Sequence, residues 1–90
     1  MEVNFQKVGD YYESEVTVTS DFNLHLEKRK AGETRLYVKG VADGEYASVV
    51  LPSNYLFNKI IDFDLSALVY PKYVLIQSDV PVDKCVVTMA

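Results

Sequence analysis

The chain has 90 residues, 49% of them apolar and 24% charged, with only four Gly and three Pro. That composition supports one small packed domain and excludes collagen-like, low-complexity and strongly disordered chains. A lone cysteine rules out a disulfide framework, and a formal charge of −4 is the wrong sign for a general polyanion binder.

Taken in chain order, the dominant period is two, the signature of strands with one wet face and one packed face. Val3 to Lys7 reads as a first strand, and Val8-Gly9-Asp10 folds it back, because Gly tolerates positive φ. Tyr11 to Thr19 follows, with Val16 and Val18 inward and Glu15, Thr17 and Thr19 outward. Next, Phe22, Leu24 and Leu26 alternate with Asn23, His25 and Glu27. The loop Arg29-Lys30-Ala31-Gly32-Glu33 joins this strand to Thr34–Lys39 as a hairpin, with Leu36 and Val38 inward and Tyr37 outward. Ala42-Asp43-Gly44-Glu45 is the strongest turn signal, since Asp-Gly suits the type I′ turn, and it leads into Tyr46–Leu51.

The stretch after Pro52 has two readings. Ser53 can cap a helix over Asn54–Ile61 with Leu56, Phe57, Ile60 and Ile61 on its apolar face, or Leu56–Phe63 can be a strand. The combined expectation is a short helical turn near residues 53–60 followed by strand. Pro71 and Pro81 then bracket Tyr73–Gln77, and Cys85–Met89 closes the chain. Strands recurring every ~8–12 residues predict an all-β fold. The expected form is a small antiparallel β-sandwich, immunoglobulin-like or jelly-roll-like, of roughly seven or eight strands in a single domain over residues 1–90.

Catalytic chemistry is sparsely supplied. His25 is the one histidine and falls on a polar strand face, and Cys85, the one cysteine, reads as a small buried hydrophobe. No nucleophile elbow, Gly-rich phosphate loop or zinc-ligand spacing is present, so the sequence predicts no enzyme, no catalytic or metal residues and no cofactor. Asp62 with Asp64, and Asp79 with Asp83, are candidate calcium ligands, but paired acids at such spacing more often form a solvated face.

Charge is distributed unevenly. Lys28, Arg29, Lys30, Arg35 and Lys39 oppose only Glu33, giving the segment +4, while four cations and twelve acids leave −8 elsewhere. Such a basic hairpin on an acidic body suits electrostatic docking with a second copy or a larger assembly. The plainer reading is a wet tip that discourages edge pairing. A nucleic-acid partner is not expected at pI ≈ 4.8. Seven Tyr and no Trp, with Tyr11 or Tyr12 and Tyr37 turned outward, add ring surface suited to interfaces or to sugars.

The candidate contact residues are therefore Lys28, Arg29, Lys30, Arg35 and Tyr37, together with Phe63, Leu65, Leu68, Val69, Tyr70 and Tyr73. The expected role is a non-enzymatic module that associates with itself or with a larger assembly, such as an accessory component of a phage particle or surface fibre. A carbohydrate- or peptide-binding module is the alternative. No stretch approaches the ~18 apolar residues of a membrane span. Met1-Glu2-Val3-Asn4-Phe5 lacks the pattern of a secretory signal, so a cytoplasmic or particle-borne protein with no membrane partner is expected.

Overall fold

The computed structural model describes residues 1–39, 45–51, 55–61 and 72–89. Eight strands run through them: β1 (Gln6–Val8), β2 (Tyr11–Val18), β3 (Phe22–Lys28), β4 (Thr34–Lys39), β5 (Glu45–Leu51), β6 (Leu56–Ile61), β7 (Lys72–Ser78) and β8 (Val82–Met89). They form a five-stranded sheet in the order β1-β2-β7-β4-β5 and a three-stranded sheet in the order β6-β3-β8, antiparallel throughout. The all-β sandwich expected from the alternation is what the chain forms.

Alternation decides which side chains meet between the sheets. Val16, Val18, Leu36, Val38, Val74 and Ile76 line the larger sheet's inner face, and Phe22, Leu24, Leu26, Phe57, Cys85 and Val87 line the smaller one's. Each such side chain, fully withdrawn from water, contributes roughly 1.5–3 kcal/mol towards folding. Gly9 sits at φ 62 in the two-residue connection between Val8 and Tyr11, where a hairpin of that length requires a left-handed first residue.

The first strand departs from expectation. Rather than running from Val3 to Lys7, the N-terminus divides itself between the two sheets. Val3 N–H donates to Cys85 O (2.9 Å), Val87 N–H donates to Met1 O (2.8 Å), and Glu2 bridges Val86 antiparallel. The chain then crosses over, packing Phe5 against the core, and joins β2 as β1. With this segment counted as a partner of β8, the antiparallel pairs run first with last, β2 with β7, β3 with β6 and β4 with β5. Such a wrapped ribbon is a double-sheet jelly roll.

Two further expectations are corrected. Arg29–Glu33 is not the turn of a hairpin, since β3 pairs with β6 and β8 whereas β4 pairs with β5 and β7. The loop carries the chain from one sheet to the other. Nor is there a helix over Leu56–Ile61: this is β6, paired along its length with β3. Backbone groups on that side of β3 need a partner, and tertiary pairing overrides the helix-like spacing. Pro52–Asn54 and the Ala42-Asp43-Gly44 turn lie outside the described residues.

Candidate interaction surface

The basic segment does not remain basic in space. Lys28 is only 6% exposed and is not available for docking. Its Nζ donates to Gly32 O (2.7 Å) and Thr34 Oγ1 (3.0 Å). It takes the next inward position after Phe22, Leu24 and Leu26 in the strand's alternation, opposite a bulge in β8, where Glu27 faces Lys84 but Lys28 faces Val82. Burial lowers the Lys28 pKa, and the nearby Asp79 charge offsets part of that shift. The capping loop is tight. A Cβ on Gly32 would lie 2.6 Å from Val80 Cγ1, and Ser78 Oγ donates to Val80 O at 2.7 Å. This end of the sandwich is thus closed by an internally satisfied polar cap.

Arg35 and Arg29 are also engaged. Arg35 donates from Nη2 to Glu33 (2.8 Å) and from Nη1 to Asp79 (3.1 Å), and its guanidinium stands 5.9 Å from the centre of the Tyr11 ring. The hydrogen bond to Asp79 holds its pKa above the usual value, although burial acts against it. Arg29 pairs with Asp83 at 3.1 Å in the open, a geometry worth little against water. Of the candidate calcium ligands, Asp79 and Asp83 therefore serve as counter-ions, and Lys30 is exposed with no ion pair among the described residues. No cluster of three or more metal-ligating side chains occurs among the described residues; Asp62 and Asp64 lie outside them.

His25 and Cys85 are on adjacent strands but on opposite faces. His25 Nε2 lies 2.7 Å from Glu27 Oε2 on the outer face, and the Glu27 carboxyl is held below its ordinary pKa by that hydrogen bond. Cys85 faces inward beside Leu26, 1% exposed, its thiol pushed up to about 12 by burial. A thiol held protonated in this way is not a nucleophile.

On the outer face of the larger sheet, Tyr37 stands opposite Leu75, with Tyr73 two residues further along β7. All three are half-buried, and Gln77 beside them donates to Glu13 at 2.7 Å. Of the expected contact residues, Arg35, Tyr37 and Tyr73 share this face. Phe63, Leu65, Leu68, Val69 and Tyr70 lie outside the described residues.

Several of the most exposed apolar side chains lie on or beside the end strands of one flank. Val50, Tyr55, Leu56 and Ile60 are 60%, 60%, 59% and 65% exposed. They belong to β5, to β6 and to the residue just before β6. β5 and β6 are the last strands of their sheets, and the N-terminal crossover joins the opposite edges of the two sheets, so β5 and β6 flank the same side. On the other flank Met1 is exposed, and Val8 faces the exposed Tyr11 across the β1–β2 turn.

Sequence reading did not select Leu56 and Ile60 as contacts. The available signal was the doublet Leu56-Phe57 repeated as Ile60-Ile61: in a strand, each doublet places one apolar side chain on either face. Compared with known protein families, curated proteins and solved structures, the chain matches none.

Proposed function

We propose that this chain is a non-enzymatic association module, acting as a building block that joins copies of itself or docks in a larger assembly. One observation carries the reading: Leu56 and Ile60 on β6 and Val50 on β5 are exposed, and among the described residues no strand pairs with the outer edge of either strand. A strand edge presents unpaired N–H and C=O groups, and apolar side chains beside it favour pairing with another chain. The charged residues suit a positioning rather than a driving role, because Arg29 and Arg35 are already matched within the chain. Jelly rolls are frequent in capsid and lectin domains, an analogy of fold and not of site.

Light scattering across a concentration range tests this reading. The mass is expected to rise with concentration to a multiple of 10.2 kDa, and a strict monomer at high concentration overturns the self-association.

A second reading is favoured by the Tyr37–Leu75–Tyr73 strip, whose rings could stack on a carbohydrate or an extended peptide. It predicts glycan or peptide binding by the monomer, lost in Tyr37→Ala and Tyr73→Ala.

A further inference from the structure

The open edge of β6 has a self-complementary pattern. Its hydrogen-bonding phase follows from two observations. Lys28 N–H donates to Tyr55 O (2.8 Å), which makes Glu27 and Leu56 a pair that does not exchange hydrogen bonds. On the far side of β3, Cys85 and Val87 direct their backbone groups away from β3, to Val3 and Met1. Both require the backbone groups of Phe57, Lys59 and Ile61 to point at β3, and those of Leu56, Asn58 and Ile60 to point away from the sheet. Among the described residues no strand lies on that side of β6.

The side chains of Leu56, Asn58 and Ile60 share the sheet's outer face, with the two apolar residues equally spaced about Asn58. Asn58 Oδ1 already accepts from Asn23 Nδ2 at 2.8 Å, leaving its own amide N–H groups as donors.

We propose that two copies of this chain pair antiparallel through β6, about a two-fold axis passing by Asn58. This rests on the association reading and names its partner, surface and register. In this register Leu56 faces the mate's Ile60 twice, Asn58 faces Asn58, and the outward N–H and C=O groups of all three residues find partners. A two-fold contact must be complementary to itself, and this spacing meets that condition. The three-stranded sheets of the two copies become one continuous sheet.

Lys59 acts as a register key. It is the only charged residue of β6, and in the proposed register it faces the mate's Phe57. A slip that centres the axis on Lys59 sets two like charges directly opposite, which is unfavourable.

The test uses the full chain in sedimentation and chemical cross-linking. Leu56→Lys and Ile60→Glu should each weaken dimerisation roughly ten- to a hundredfold, since each disrupts both symmetry-related pairs. The double variant should recover much of the loss, because opposite charges then face each other across the axis. Asn58→Cys should couple to its mate through a short bismaleimide, whereas Gln6→Cys, on the opposite flank, should not. The native Cys85 thiol is buried and stays silent. An oligomer indifferent to these changes overturns the β6 pairing but leaves association standing. A monomer at every concentration overturns both, as does a chain that dimerises only after Lys59→Ala, for then Lys59 guards the edge.

Discussion

The two flanks of the sandwich solve the same problem in opposite ways. At one, Met1–Val3 covers β8 and then crosses to pair beside β2, so one segment caps both sheets and buries Val3 against the core. At the other, β5 and β6 end their sheets with Val50, Tyr55, Leu56 and Ile60 in water. The first flank still ends in a short strand, β1, but one that is tied to both sheets, and the apolar residues along the second make that flank the proposed contact side. Among the described residues, Tyr55, Leu56 and Ile60 gather exposed apolar surface on and just before β6.

The largest expected effect comes from opening the closed flank. Removing residues 1–5 strips the burial of Val3 and Phe5 and the backbone bonds to Cys85 and Val87. Urea titration should show a loss of about 3–5 kcal/mol. The same truncation should make Cys85 reactive towards a thiol reagent at neutral pH.

The second effect uses that buried thiol as a gauge of closure. Its folded pKa is about 12 against an ordinary 9.0, so the folded state retains a proton that the unfolded chain releases. Stability from this group is complete below pH 9.0 and is lost as pH rises towards about 12. The slope is about 1.4 kcal/mol per pH unit. Denaturation of the wild type and of Cys85→Ala across that range should differ by this slope, since other titrating groups are common to both.

On the open flank the effect moves from stability to association. Ile60→Lys should change the unfolding free energy by no more than about 0.5 kcal/mol, as exposed positions do. It should nonetheless weaken self-association at least tenfold, read by sedimentation at several concentrations. The smallest effect belongs to the exposed Arg29–Asp83 pair, for which Arg29→Ala should cost about 0–0.5 kcal/mol. A large loss there would return electrostatics to the centre of the account.

Much of the fold was legible in the alternation. Thr34–Lys39 has the bounds that its alternation predicts, and the spacing of Phe22, Leu24 and Leu26 alone points them into the core. What stayed hidden depended on pairing across long sequence separations. The crossover at Arg29–Glu33 resembles a hairpin loop because a loop's composition does not say which sheet the next strand joins. The basic character of Lys28–Lys39 dissolved for the same reason, since Asp79 and Asp83 arrive from the β7–β8 turn more than 40 residues away. Lys28 is a different case, since it continues the inward series Phe22, Leu24 and Leu26 by one more step and only its charge conceals this. The β6 edge is obscured by its own pattern: apolar doublets four residues apart fit one helix face as well as both faces of a strand.

Residue-resolved amide exchange at increasing protein concentration tests the central claim most directly. The N–H groups of Phe57, Lys59 and Ile61, bonded within the sheet, should be protected at every concentration. Those of Leu56, Asn58 and Ile60 should exchange freely in dilute solution and become protected as the chain associates. Exchange at these three positions that stays fast while the mass of the particle grows would contradict the account.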